Sequence, residues 1–247
     1  MTLLRRCLLG IIAVWTGVAA GPAWTQTKAP VLVLGGTGQL GAEVVKILAA
    51  RGEAVTVLAR ANSKRDLLAG LNVDYVVGDL MNRAEVEAAV KAKPFRAIIS
   101  TVRVEDGDIH FYERMFTNLL PAAKAAGVKQ IIHQSAVGAG DNAKHFTGLG
   151  WENRPDMMNR LRDQGVGERL LTQSGLTYTI IRNSRIWPAN TPPTGQAVLT
   201  EDQTVISPMT RADLAKLTVD CLDNPACANK IYHVKDPSLT WPPPAMN

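Results

Sequence analysis

Strand and helix signals alternate along most of the chain, which predicts an α/β fold: a parallel sheet wound on both faces by helices, with a small C-terminal portion added. Three observations carry that reading. Val31 to Leu34 is a short, uninterrupted apolar run, as in a strand buried on both faces. Glycines follow it at a spacing of three, at positions 35, 38 and 41. Five strand–helix units then succeed one another, and Ile231 to Val234 reads as a closing strand. A length of 247 residues suits one domain with a full core.

The first unit is the most informative. Gln39 to Arg51 reads as a helix and Ala54 to Ala59 as the second strand. Between strand and helix, one glycine turns the chain, one lets the backbone approach a pyrophosphate, and one lets helix and sheet pack closely. The helix N-terminus supplies free N–H groups and a positive dipole end to that pyrophosphate. A Gly-rich turn that holds nothing is the alternative, but a strand before it and a βαβ spacing after it favour a Rossmann-like dinucleotide site.

The pattern is G-x-x-G-x-x-G, and Gly35-Gly36-Thr37-Gly38-Gln39-Leu40-Gly41 resembles the atypical, NmrA-like branch of the short-chain dehydrogenase/reductase superfamily. Ala122 to Val128 is a second phrase similar to that branch, and the resemblance runs from Val31 to about Val234. It implies a Rossmann-like doubly wound parallel sheet with a small C-terminal substrate portion, and cofactor contacts from all seven loop residues.

Further cofactor contacts follow along the chain. The second strand ends in Arg60-Ala-Asn-Ser-Lys64, with no acidic residue to accept from the ribose hydroxyls. Arg60 offers a planar fork suited to a 2′-phosphate and Lys64 a second charge, so NADP(H) is expected over NAD(H). After the third strand, Asp74 to Val77, the resemblance places Asp79 on the adenine amino group and Leu80 on the ring. The competing reading of Asp79 is capping of the helix Arg83 to Lys91, for which Asn82 is better placed. The fourth strand, Ala97 to Thr101, brings Ser100, Thr101 and Val102 to the nicotinamide end, since ligands lie outside the carboxyl ends of parallel strands. A helix is expected over Asp108 to Ala126 with a bend at Pro121, then a fifth strand over Lys129 to Gln134. Ser135 follows it, at the serine position of the relatives.

The relatives also carry a Tyr-x-x-x-Lys on the next helix, in which the tyrosine donates a proton and the lysine lowers its pKa. Aligning Gly165 to Leu171 and Ser174 to Arg182 on the family pattern puts Arg160 at the tyrosine and Gln164 at the lysine. No tyrosine lies between Tyr112 and Tyr178. Arg160 and Gln164 share a helix face at i, i+4, where they either contact a ligand or form a solvated surface. Ser135 and Asn183 remain the candidates for the reaction itself, with Ser184 beside the same cleft. His133, in an apolar strand, reads as structural, and His145 as a weak substrate-site candidate. Trp151 and Trp187 either roof the cleft or fill the core. Thr210, with Asp213 three residues on, opens a last helix.

Composition excludes other classes. Basic residues are scattered and never interleaved with aromatics, so no nucleic-acid partner is expected at a net charge of +5. The four histidines are far apart, and no metal is expected. Residues 1–25 have the basic, apolar and small-residue layout of a secretory signal, or of a retained N-terminal anchor, and Arg5-Arg6 also resembles a twin-arginine signal. The expected organisation is that segment, a cofactor domain over 30–236, and a loose tail over 237–247. Cys221 and Cys227, with five residues between them, suit a disulfide in an oxidising compartment, so an exported protein is expected. Two functions stand open. One is a reductase passing hydride to a quinone- or flavin-like small-molecule acceptor without a Tyr-Lys pair. The other is a catalytically silent NADP(H)-binding sensor or assembly factor with a protein partner.

Overall fold

The computed structural model describes residues 28–104 and 108–242. The N-terminal signal or anchor and the last part of the tail lie outside the described residues. Eight strands form one sheet: β1 (Val31–Leu34), β2 (Val55–Ala59), β3 (Asp74–Val77), β4 (Ala97–Ser100), β5 (Gln130–Ala136), β6 (Thr177–Asn183), β8 (Val198–Thr200) and β10 (Lys230–Lys235). Their spatial order is β3-β2-β1-β4-β5-β6-β10-β8, all parallel except β8, which pairs antiparallel with β10. Two short strands, β7 (Arg185–Ile186) and β9 (Pro208–Met209), form a separate parallel pair.

Why the first strand has no polar residue is plain from its two faces. Val31 and Val33 pack on one side beneath helices α1 (Gln39–Ala50) and α5 (Arg211–Asp220). Leu32 and Leu34 pack on the other beneath α2 (Arg83–Lys91), α3 (Phe111–Ala125) and α4 (Pro155–Gln173). All four are 0 % exposed, and each such burial is worth about 1.5–3 kcal/mol. Strand order reverses between β1 and β4, so the two halves of the sheet diverge there and leave a crevice at their carboxyl ends.

Several boundaries differ from the sequence expectation for identifiable reasons. The α3 helix begins at Phe111 rather than Asp108, because Asp163 of α4 caps it by accepting from the N–H groups of Tyr112 (2.7 Å) and Glu113 (3.0 Å). It then runs through Pro121 to Ala125. β5 extends to Ala136 because β6 pairs with it that far, Ser135 against Arg182 and Ala136 against Asn183. Ser135 is therefore a strand residue. The caps at Asn82 and Thr210 form as their spacing suggests, Asn82 accepting from the N–H groups of Ala84 and Glu85 and Thr210 from that of Asp213. Cys221 and Cys227 form a disulfide across the turn after α5, with Cα atoms 5.4 Å apart. No helix among the described residues is long and apolar enough to cross a membrane.

Candidate functional site: a dinucleotide cleft

The site begins at the turn from β1 into α1. Gly35 has φ +76°, and a Cβ there would press on the Thr101 and Val102 backbone at 3.1 Å. A Cβ on Gly41 would stand 2.1 Å from the carbonyl oxygen of Gly35, so only glycine lets the first turn of α1 lie this close to the loop. No side chain caps the N-terminus of α1, and no acidic residue occupies its first turn. Those N–H groups face the cleft mouth, where a phosphate can accept from them. Gly36 points away from the cleft; a Cβ there would meet Val57 at 2.9 Å, so its role is packing.

A cleft of about 1260 Å³ runs from this loop along the carboxyl ends of the strands. Gly35, Thr37, Gly38, Gln39, Leu40 and Gly41 line its centre. Towards β2 and β3 it is lined by Arg60, Asp79 and Leu80. Asp79 accepts from the N–H of Met81 through one carboxylate oxygen (2.9 Å). Lys64 is exposed and lies off the lining, because the chain turns back at Arg60, whose carbonyl accepts from the N–H of Ser63 at 3.0 Å. Ser63 takes the place in the lining that the sequence suggested for Lys64. Arg211, at the start of α5, also faces the cleft and donates to the Trp187 carbonyl at 3.2 Å. Burial pulls its guanidinium pKa down. Nothing in the sequence around Arg211 signals that α5 enters the site; only the fold brings it there.

At the other end, Thr101, Val102, Ser135 and Asn183 line the cleft with Arg160 and Gln164 of α4 and Tyr112 of α3. Ser100 does not reach it. That serine is fully buried, and its hydroxyl lies 3.3 Å from His133 Nδ1. Burial drives the His133 pKa down to about 3, and Phe116 and Tyr112 meet its ring edge to face, so His133 is structural. Asn183 donates to the Ser135 carbonyl at 2.7 Å and to Gln134 Oε1 at 3.2 Å, which fixes its side chain across the strand pair. His145 is exposed and lines no part of the cleft, and Trp187 is held outside it by donation to the Thr240 carbonyl at 3.1 Å.

Tyr112 is the residue that sequence reasoning missed. Its hydroxyl donates to the Val102 carbonyl at 3.3 Å and accepts from Gln164 Nε2 at 3.2 Å. Burial is the largest influence on its phenol and pushes the pKa up, against the lowering effect of that Gln164 bond. The tyrosine therefore comes from α3 and the residue beside it from α4, a pairing that no spacing within one helix reveals.

The residues fit a dinucleotide by a direct test. The Ser135 hydroxyl and Gln164 Oε1 are buried in the cleft wall with no hydrogen-bond partner. Orphaned buried polar atoms are costly, about 1–3 kcal/mol each, and are normally relieved by a ligand or water. Gln164 Oε1 can accept from a ligand hydroxyl, and Ser135 can donate or accept. Among the described residues no cluster of three metal-ligating side chains occurs.

Comparison with known proteins agrees with this geometry. The chain is 32% identical over 171 residues to the sterol demethylase protein B of Methylococcus capsulatus, covering 63% of this chain and 51% of that one. It thus spans about half the length of this relative. An NAD(P)H azoreductase of Xenophilus azovorans is 25% identical, with 84% of this chain and 68% of that one covered. Among solved structures, ChuY, an anaerobilin reductase from Escherichia coli O157:H7, superposes with a TM-score of 0.73 at 24% identity. The match covers 85% of this chain and 98% of ChuY, which establishes a shared fold. The model of the NAD(P)H-binding family matches residues 35–225, so the glycine loop, the cleft and the helices around it identify this chain as a member of that family.

Proposed function

We propose that the protein is an NADPH-dependent reductase that passes hydride to a quinone- or flavin-like acceptor without a protein proton donor. The observation that carries this reading is the face α4 turns to the cleft. Arg160 and Gln164 stand there, and neither a guanidinium nor an amide exchanges a proton in the working range, while the Tyr112 hydroxyl beside Gln164 already donates to the Val102 carbonyl. The bound dihydronicotinamide supplies the hydride. Ser135 and Gln164 would hold the ribose and carboxamide side, Asn183 would shape the wall beside Ser135, and the acceptor's proton would come from solvent. An acceptor that is conjugated and readily reduced needs no positioned acid, whereas a simple ketone forgoes the 10²–10⁴-fold that general acid catalysis supplies.

The NADPH preference rests on Arg60 in the cleft and the absence of a carboxylate at the end of β2. Ser63 beside Arg60 adds a hydroxyl to a 2′-phosphate site. Export is proposed on the signal-like N-terminal sequence, and the Cys221–Cys227 bridge supports it, since such bonds persist in oxidising compartments.

NADPH oxidation by the purified protein against a panel of quinones, flavins and carbonyls tests the reaction. Turnover of quinones or flavins should exceed that of simple carbonyls by orders of magnitude. Tight NADPH binding with no turnover on any acceptor would favour the silent sensor or assembly factor instead.

A further inference from the structure

A second cavity of about 360 Å³ adjoins the nicotinamide end of the cleft and shares Ala136, Arg160, Asn183 and Ser184 with it. Its remaining wall is unusual in chemistry. Trp241 and the face of Trp151 not stacked on Phe146 supply flat aromatic surface. Met157 with Val137, Leu161 and Ile206 supplies an aliphatic one, and Arg154 and Arg185 two further, exposed guanidinium groups. No carboxylate is among the described residues that line it. Neither Arg154 nor Arg185 pairs with a carboxylate among the described residues. Arg185 lies instead over the Trp241 ring, its guanidinium carbon 5.5 Å from the centroid. Trp241 is brought there from the C-terminal segment, whose Thr240 carbonyl is anchored by the Trp187 indole.

We propose that this cavity is the acceptor subsite and that it selects flat, conjugated ring systems carrying carboxylate or sulfonate groups. The identification of the ring as the hydride acceptor rests on the reductase reading; the ligand class rests on the cavity itself. Indole faces stack on a conjugated ring, and guanidinium forks bind planar or tripodal oxyanions through paired N–H groups. A volume of about 360 Å³ is at the small end of ligand pockets and accommodates a two-ring system, with its edge directed past Asn183 towards the nicotinamide position. Aromatic acids satisfy both halves of this wall at once; a neutral ring leaves Arg154 and Arg185 with no anion to bind, and an aliphatic acid leaves the indoles uncovered.

The test is calorimetric binding of naphthalene-2-sulfonate and of neutral naphthalene-2-methanol to the whole protein saturated with NADP⁺. The sulfonate should bind at least about tenfold tighter, a difference of about 1.4 kcal/mol. The double variant Arg154→Gln/Arg185→Gln should erase that preference and leave the neutral compound unchanged. Trp241→Ala should weaken both compounds, with melting temperatures confirming that each variant is folded. Equal binding of the two compounds by the wild type, or a preference that survives in a folded double variant, would overturn the proposal. Turnover separates the two readings. With NADPH, 1,4-naphthoquinone-2-sulfonate should show a lower KM than 1,4-naphthoquinone. Sulfonate-selective binding without oxidation of NADPH would remove the reductase reading and leave the subsite standing. Oxidation of both quinones with equal KM would remove the subsite and leave the reductase.

Discussion

Arg60 lines one end of the cleft and the Tyr112–Gln164 pair the other. Arg60 is exposed at the carboxyl end of β2, where a 2′-phosphate would meet its guanidinium. NADPH should bind at least tenfold tighter than NADH, about 1.4 kcal/mol, and Arg60→Ala should remove most of that gap in calorimetry at fixed salt. Lys64→Ala should change it little, since that side chain lies off the cleft wall. At the other end, Gln164→Leu removes the unpartnered amide oxygen from that wall and frees the Tyr112 hydroxyl. NADPH affinity should fall by roughly 1 kcal/mol, the net worth of a typical hydrogen bond, at unchanged dinucleotide preference. That Arg60 stands at the cleft was legible from the sequence because the end of a strand is a local feature. Tyr112 was not, because its importance arises from α3 and α4 meeting, 52 residues apart.

The element that organises the site is α4. Asp163 caps α3 and so seats Tyr112; Gln164 faces the cleft; and Gly165 lets the helix touch the turn at Gly140, where a Cβ would stand 2.2 Å from the Gly140 Cα. One turn on, Glu168 accepts from Arg182 of β6 through both carboxylate oxygens (3.0 and 2.5 Å), a buried pair that locks helix to sheet. Asp163→Ala should cost about 0.5–2 kcal/mol in urea unfolding, the range for losing a cap, and should raise the KM for NADPH as Tyr112 loosens. A change in stability with no change in KM would separate the cap from the site. The strands and the glycine loop could be read from periodicity, and the caps from spacing. The short β7, β8 and β9 could not, since three or fewer residues carry no period and the partners they pair with lie far along the chain.

Two features belong to the whole molecule. His133 is fully buried and its pKa is near 3 when folded, against 6.5 as a free side chain. The unfolded chain therefore binds a proton that the native state refuses. Stability is fully present above pH 6.5 and falls as pH drops towards 3, by about 1.4 kcal/mol per unit from this residue. His233, lowered chiefly by burial, acts in the same direction. Urea midpoints at pH 7.5 and 5.5 should show the loss, and His133→Leu should flatten much of it. The Cys221–Cys227 bridge closes a short loop, so Cys221→Ser/Cys227→Ser should cost only about 2 kcal/mol. The doubly wound architecture was legible because strand and helix signals alternate from β1 to β6, although β8 at the sheet edge was not. The second cavity was not, because Trp151, Arg185 and Trp241 come together from three separate segments.

The central claim is that reduction proceeds without a protein proton donor, and the double variant Tyr112→Phe/Ser135→Ala tests it most directly. It removes the Tyr112 and Ser135 hydroxyls; the other two hydroxyls lining that end already donate to backbone carbonyls, Thr101 to Leu34 at 3.0 Å and Ser184 to Ser207 at 2.6 Å. With a quinone acceptor at saturating NADPH, kcat should stay within about tenfold of the wild type, far short of the 10²–10⁴-fold that loss of a general acid costs. A fall of that larger size in a folded variant that still binds NADPH would contradict the account and identify one of these hydroxyls as the donor.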